Sequence, residues 1–182
     1  IQTEDTPNPL AMKFSPGQTM GSREGKTYSK DDATDSLSQS LLSIMGVTNV
    51  YYGHNFITVT RDDTSEWLFL KPQILGAIMD FFLESPQEEP EPFHEPELSQ
   101  KQNPEEDTPI HREIRDIIET RVKPAVAEHG GTIEFHSFVD GIVFLNFKGA
   151  CSGCPSAELT LKQGVEKMLM HYVPEVIEVR SI

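Results

Sequence analysis

Residues 149–156, Gly-Ala-Cys-Ser-Gly-Cys-Pro-Ser, lie between a segment of alternating apolar residues and a segment with helical apolar periodicity. This stretch contains both cysteines of the 182-residue chain. Pro155 and Ser156 are typical of a helix start, which places Cys154 near the N-cap and Cys151 in the preceding loop. The pattern therefore predicts a junction of strand, cysteine loop and helix, around which the C-terminal half of the chain is organised.

The sequence on either side of this junction predicts an α+β unit. Thr108-Pro109 begins an amphipathic helix that kinks or ends near Pro124. Apolar and polar residues then alternate over 133–147 on both sides of Asp140-Gly141, which predicts a β-hairpin. After the cysteine loop come an amphipathic helix and a short strand over 176–179. The expected order over residues 109–182 is α-β-β-α-β.

An acidic, proline-rich segment at 84–108 precedes this unit and is predicted to be a flexible linker. Six of the thirteen prolines lie between Pro86 and Pro109. Residues 84–107 carry nine acidic residues and one basic residue, Lys101, and so supply eight of the fourteen net negative charges. Such a composition buries too little apolar surface to offset the entropy of ordering the chain. We expect a solvated spacer here rather than a docking element for a basic partner.

Residues 1–83 are predicted to form a second α+β unit, so the fold class is two small α+β domains joined by the linker. The elements expected in it are two short strands, a loop, a helix, a hairpin of two strands, and a second helix, at 1–5, 11–14, 15–30, 35–45, 47–52, 56–60 and 71–83. Ser36 and Gln39 are interpreted as a capping box for the first helix. Pro72 is placed in the first turn of the second helix, where a missing N–H group is tolerated.

The composition of the whole chain excludes several classes of function. A formal net charge of −14 argues against nucleic-acid binding, because phosphate backbones attract Lys and Arg. No apolar run reaches the roughly 20 residues that span a bilayer, so we expect no membrane insertion. The sequence contains no glycine-rich phosphate loop and no nucleophile, base and acid in a recognisable pattern, so we expect no enzymatic activity.

The two thiols carry the remaining chemical information. A tetrahedral zinc site or an iron–sulfur cluster normally takes about four soft ligands, and this chain offers two cysteines in one Cys-x-x-Cys motif. The histidines show no metal-ligand spacing, and His171 is kept as a minor second-shell candidate. A metal centre at Cys151 and Cys154 would therefore be completed by a second copy, a partner protein or an external thiol.

Three readings compete with an iron–sulfur cluster at this loop: a dithiol oxidoreductase, a zinc bridge between two chains, and a pair of cysteines without function. Thioredoxin-type dithiols also lie at a helix start, but in a βαβ unit and usually with a proline between the cysteines. Here the proline follows them. Zinc shares thiolate ligands with iron–sulfur clusters. Two free cysteines confined to one loop at a helix start are hard to explain by packing, which argues against a pair without function. Of the four readings we favour the iron–sulfur cluster.

The motifs resemble those of a known family. Residues 149–165, Gly-Ala-Cys-Ser-Gly-Cys-Pro-Ser-Ala-Glu-Leu-Thr-Leu-Lys-Gln-Gly-Val, followed by Tyr-Val-Pro-Glu-Val at 172–176, closely resemble the C-terminal domain of the NFU family of iron–sulfur cluster scaffold and carrier proteins. Gln-Thr-Glu-Asp-Thr-Pro-Asn-Pro at 2–9 and Ile-Met-Asp-Phe-Phe at 78–82 resemble the N-terminal domain of its mitochondrial members. The chain departs from the family pattern in its 15–35 loop, in its long acidic linker and in having Ala150 and Gly153 beside the cysteines.

This resemblance implies that Cys151 and Cys154 from two chains bind a [4Fe–4S] cluster at a homodimer interface. It further implies upstream cluster-assembly proteins as donors, and transfer to apo-proteins such as lipoyl synthase and respiratory-chain proteins. A mitochondrial matrix location is implied as well, with a transit peptide expected to be removed before Ile1. The N-terminal domain lacks cysteine, and partner docking is our expectation for it.

Overall fold

A computed structural model describes residues 1–84, 108–150 and 155–182, with backbone alone for 155–158. The linker predicted at 84–108 lies almost entirely outside the described residues. We call residues 1–84 the N-terminal unit and residues 108–182 the C-terminal unit. Each unit combines α-helices with one β-sheet, which confirms the predicted α+β fold class. None of the described helices combines the length and the apolar character that crossing a bilayer requires.

The N-terminal unit is a five-stranded antiparallel sheet with two helices on one face. Its elements are β1 Gln2–Asp5, β2 Ala11–Ser15, β3 Thr27–Ser29, α1 Ser36–Ser43, β4 Val47–Tyr52, β5 Ile57–Arg61 and α2 Trp67–Glu84. The strand order is β1-β2-β5-β4-β3. Leucines of α1 and Ile74 and Ile78 of α2 pack with Phe14, Ile57 and Val59 of the sheet. The predicted hairpin of β4 and β5 is confirmed, because Tyr52 pairs with Ile57 in an antiparallel register.

The predictions for the loop and for the second helix of this unit are wrong in detail. The segment 15–30 contains β3, which pairs with β4, and a single 3₁₀ turn at Gly21–Arg23. The second helix begins four residues earlier than predicted, so Pro72 lies within α2 rather than in its first turn. Gln73 donates its side-chain amide to the carbonyl of Phe69 at 2.9 Å, which satisfies an acceptor beside the interruption that a proline causes.

The first helix is capped by Asp35 and not by the predicted box of Ser36 and Gln39. Asp35 Oδ1 accepts a hydrogen bond from the Ser38 amide at 3.0 Å and another from the Tyr52 hydroxyl at 3.1 Å. Burial, with the neighbouring carboxylate of Asp35, raises the pKa of Tyr52 well above its ordinary range. One carboxylate therefore stabilises the helix start and also gives the buried tyrosine its acceptor.

We expect Asp35→Ala to lower the free energy of unfolding of the N-terminal unit by about 2 kcal/mol, because it removes a cap and leaves a buried hydroxyl without an acceptor. Trp67, the only tryptophan of the chain, packs on this core and reports its unfolding in urea by fluorescence. Asp35→Asn keeps an acceptor oxygen and should recover most of the loss. Equal stability of Asp35→Ala and the unaltered chain would show that the cap contributes nothing.

The C-terminal unit is a three-stranded sheet covered by helices. Its elements are α3 Pro109–Ile117, α4 Lys123–Glu128, β6 Gly131–Val139, β7 Ile142–Gly149, α5 Pro155–Tyr172 and β8 Glu178–Ser181. A π-helical turn, Ile118–Val122, joins α3 to α4, so the predicted kink precedes Pro124 and the helix continues past it. The predicted hairpin is confirmed, with Asp140 and Gly141 both at positive φ in its two-residue turn. The last strand begins two residues later than predicted.

The sheet order β6-β7-β8 places β8 parallel to β7, with α5 as the crossover between them. The cysteine loop therefore does lie in a βαβ unit. This finding overturns one of the two sequence arguments against a thioredoxin-like dithiol, whereas the position of Pro155 after the cysteines still stands. Ile114, Ile133, Leu145, Val165 and Leu169 fill the core between the helices and the sheet.

Candidate metal centre

The predicted ligands, Cys151 and Cys154, lie in the segment 151–154, outside the described residues. The structure describes the residues that lead into this segment and the helix that follows it. β7 ends at Gly149 and α5 begins at Pro155, so the helix does start directly after the second cysteine, as predicted. Along the chain, residues 151–154 follow the end of the central strand β7 and precede the 18-residue helix α5.

Backbone contacts fix the entry to the loop. The Ala150 amide donates a hydrogen bond to the Gly130 carbonyl at 3.1 Å, and Ala150 is 2% exposed. Gly149 has φ +73°, and a methyl group there would lie 2.6 Å from the Gly130 oxygen and 2.7 Å from Cδ1 of Tyr51. Glycine at this position is explained by contacts within the protein, since neighbouring backbone and ring atoms occupy the space that a side chain would need.

The exit from the loop is the first turn of α5. The first N–H groups of a helix have no partner within it, and they carry the positive end of the helix dipole. A helix that begins at Pro155 directs these groups toward the residues immediately before it. Such a position favours thiolate over thiol and can donate hydrogen bonds to cluster sulfurs.

The lysines near the entry are engaged in ion pairs. Lys148 Nζ lies 2.7 Å from a carboxylate oxygen of Glu134, and Lys13 Nζ lies 2.9 Å from one of Glu4. In both pairs the lysine is partly buried and the carboxylate is exposed, and each pair balances the charge of its lysine locally. The helix start of α5 is therefore the feature of the described backbone that we expect to favour negative charge at the loop.

An apolar cavity of about 270 Å³ opens beside Ala150. Its walls come mainly from α4 and α5, and Pro7 of the N-terminal unit contributes to it. His129, whose side chain is exposed, also lines the cavity, and sequence reasoning gave it no role. The cavity makes the surroundings of the loop entry largely apolar on one side.

His171 lies at the far end of α5 from this loop, so within one chain the structure does not favour the second-shell role considered for it. It lies in the last turn of α5, 16 positions after Pro155, or roughly 24 Å along a helix with a 1.5 Å rise per residue. Its ring packs edge-on against Tyr172 at 5.0 Å. Within the described ranges, no three His, Cys, Asp or Glu side chains come together as a metal site.

Sequence reasoning also missed Thr58 and Tyr51, which contact the loop entry from the N-terminal unit. Thr58 donates its hydroxyl to the Gly130 carbonyl at 2.5 Å. Strand alternation was a usable signal that both side chains face away from the core residues beside them. No local pattern indicates the partner, which is 72 residues away along the chain from Thr58.

Comparisons with known proteins identify both halves of the chain. A profile described as the NifU-like domain matches residues 114–180, and one described as the scaffold protein Nfu/NifU N terminal matches residues 1–85. The chain is 40% identical, over 97% of its length, to NifU-like protein 5, mitochondrial, of Arabidopsis thaliana. It is 38% identical over its whole length to the NFU1 iron-sulfur cluster scaffold homolog, mitochondrial, of Drosophila persimilis.

The chain spans 65% and 64% of the lengths of these two relatives. Among solved structures, a NifU-like protein from Saccharomyces cerevisiae is similar, with a TM-score of 0.42 and 26% identity, over 46% of this chain and 78% of that one.

Proposed function

The chain belongs to the NFU family of iron–sulfur cluster scaffold proteins, and on that premise we propose that it carries a [4Fe–4S] cluster between two chains. In this proposal Cys151 and Cys154 of each chain supply the four thiolate ligands. The cluster is cargo, received from an assembly protein and passed to an apo-protein. The chain acts as a carrier and catalyses no reaction of its own.

The observation that supports this proposal is the size of the ligand set. The chain has two cysteines, and both lie in one loop. Four thiolates are the usual complement of a [4Fe–4S] cluster, so two copies of the loop complete it. A cluster held across two chains loses half its protein ligands when the chains separate. The cluster can then be released to a recipient when the two copies separate. No site that is closed within one chain has to rearrange.

The position of the loop suits an anionic, sulfur-rich cargo. The first turn of α5 begins at Pro155, where N–H groups and the helix dipole favour thiolates. Hydrogen bonds from such N–H groups to cluster sulfurs also influence the reduction potential of a cluster. The backbone at the start of α5 therefore stabilises negative charge and orients N–H donors toward the cluster sulfurs. The cysteines supply the bonds to iron.

We further propose which domain binds the cluster, which proteins receive it, and where in the cell the chain acts. The segments 1–83 and 109–182 form two domains joined by the acidic linker 84–108, and cluster binding belongs to the second. Recipients include apo-proteins such as lipoyl synthase and respiratory-chain proteins. The relatives at about 40% identity are named mitochondrial, which supports a mitochondrial matrix location for this chain.

A dithiol-disulfide oxidoreductase is the second candidate function. The parallel arrangement of β7, α5 and β8 favours it, because thioredoxin-type dithiols use a Cys-x-x-Cys motif beside a βαβ unit. In that case Cys151 and Cys154 would cycle between dithiol and disulfide within one chain. The position of Pro155 after the motif argues against it.

Anaerobic reconstitution with iron and sulfide, followed by absorption spectroscopy, separates these functions. The carrier proposal expects a thiolate-to-iron absorption band and about two irons per chain. A chain that takes up no iron but forms a reversible disulfide reactive with partner thiols would favour the oxidoreductase. Tightly held zinc that cluster assembly cannot replace would favour a structural bridge between chains.

Transfer is tested by mixing the loaded chain with a recipient in its apo form. We expect the recipient to gain its cluster faster from the loaded chain than from equal amounts of free iron and sulfide. A chelator that binds free iron serves as the control, since it should block the second route and leave the first. Equal inhibition of both routes would mean that the chain only releases iron to solution.

A further inference from the structure

The helix-free face of the N-terminal sheet is buried around Thr58 and Tyr51, although such a face in an antiparallel sheet often contacts water. On β5, Ile57 and Val59 point into the core beneath α1 and α2, and Thr58 between them points to the opposite face. Thr58 is nevertheless 1% exposed, and Tyr51 on the neighbouring strand is 4% exposed. The C-terminal unit covers this face, since β7 lies against β4.

One carbonyl group connects the N-terminal sheet to Gly149 and Ala150, the residues that lead into the cysteine loop. The Gly130 oxygen accepts the Thr58 hydroxyl at 2.5 Å and the Ala150 amide at 3.1 Å. Ala150 is the residue directly before Cys151. A side chain of the N-terminal unit therefore shares its acceptor with the last described residue before the cysteine segment.

Two glycines of the C-terminal unit allow this close approach. Gly130 has φ +76°, and a methyl group there would lie 2.9 Å from Oγ1 of Thr58. At Gly149 the same addition would lie 2.7 Å from Cδ1 of Tyr51. Both positions are thus constrained by their own backbone conformation and by side chains of the N-terminal sheet.

The contact extends along the sheet to β2. Lys13 Nζ donates to the carbonyl of Glu128, in the last turn of α4, at 3.4 Å. Pro7, in the connection between β1 and β2, lines the cavity beside Ala150. Three strands of the N-terminal sheet and the connection between β1 and β2 therefore meet the same small region, where α4 passes into β6 and β7 ends.

We propose that the N-terminal sheet is a docking surface for the base of the cysteine loop, and that Thr58 is a positioning residue for Ala150. The occupant is the C-terminal unit of the same chain. Through the Gly130 carbonyl, Thr58 restrains the backbone that leads into Cys151. The functional meaning of this restraint rests on the proposed cluster binding, whereas the contact itself does not.

The first test measures amide hydrogen exchange of Ala150 by NMR in the full chain without cluster. Thr58→Val keeps the shape of the side chain and removes the donor, so we expect roughly fivefold faster exchange, the equivalent of one ordinary hydrogen bond. Thr58→Ser keeps the donor and should stay within about twofold of the unaltered chain.

Thr48→Val is the matched control. It removes a threonine hydroxyl that donates to the Thr60 carbonyl at 3.1 Å, a bond of the same kind within the N-terminal unit. It should leave Ala150 exchange unchanged. Equal exchange in the Thr58→Val variant and the unaltered chain would overturn the proposal, as would equal acceleration by the Thr48→Val control.

A measurement on the unaltered chain keeps the proposal falsifiable if Thr58→Val fails to fold. Ring protons of Tyr51 should show nuclear Overhauser contacts to the α-protons of Gly149, and their absence would overturn the docked arrangement. Iron content after reconstitution is then measured separately. Altered Ala150 exchange in a chain that binds no iron would remove the proposed function and leave the docking surface standing.

Discussion

Replacing Cys151 with serine is expected to abolish cluster binding, lowering the iron bound after reconstitution by more than about tenfold. A serine hydroxyl is a hard ligand that stays protonated, and a site built from two chains would lose a ligand from each of them. Cys154→Ser should have an effect of similar size. Iron and sulfide analysis together with absorption spectra of the anaerobically reconstituted chain measures the loss.

Ser152→Ala provides the control in the same loop, since it changes a neighbouring side chain and leaves both thiols. It should bind close to the normal amount of iron. Near-normal iron in either cysteine variant would mean that the cluster has other ligands. That result would contradict the assignment of Cys151 and Cys154 and the account of a site shared by two chains.

Gly149→Ala is expected to lower the free energy of unfolding by about 3 kcal/mol. The left-handed backbone conformation at φ +73° contributes roughly 1 to 2 kcal/mol, and overpacking adds a similar amount. The new methyl group would lie 2.6 Å from the Gly130 oxygen and 3.0 Å from the Gly131 Cα, which are backbone atoms that cannot rotate aside. Urea denaturation followed by circular dichroism measures the change.

Gly164→Ala should have the opposite sign. Gly164 lies inside α5, and among the described residues no atom beyond the adjacent backbone of the helix lies within 4 Å of the position a methyl group would take. Alanine also favours a helix by up to about 1 kcal/mol over glycine. Gly149→Ala and Gly164→Ala therefore compare the same substitution at two positions of the C-terminal unit, one strained and one with free space for the methyl group. Equal stability of the two variants would contradict the packing described for the loop entry.

Local patterns predicted the elements that are stabilised by local interactions. The β6–β7 hairpin was predicted because Asp140-Gly141 supplies the positive φ angles of a two-residue turn and the flanking residues alternate. α5 was predicted to begin after the second cysteine because proline is favoured in a first helical turn. The chemistry proposed for the site rests on the number of thiols, which needs no three-dimensional information.

Elements that depend on distant partners were missed or misplaced. β3 has three residues and no apolar alternation, and it exists because it pairs with β4. The true start of α2 was missed because Pro72 was given the position a proline prefers, whereas packing of Leu70 and Ile74 on the sheet extends the helix across it. The bond from Thr58 to Gly130 joins residues far apart in sequence, so no spacing rule could have indicated it.

Native mass spectrometry of the anaerobically reconstituted chain tests the central claim most directly, because it weighs chains, iron and sulfide in one particle. The account expects a two-chain particle heavier than the apo pair by about four irons and four sulfides, with no equivalent particle formed by the Cys151→Ser variant. A single chain that carries its own cluster, or a chain that gains no iron and forms an internal disulfide, would contradict a site completed by a second copy.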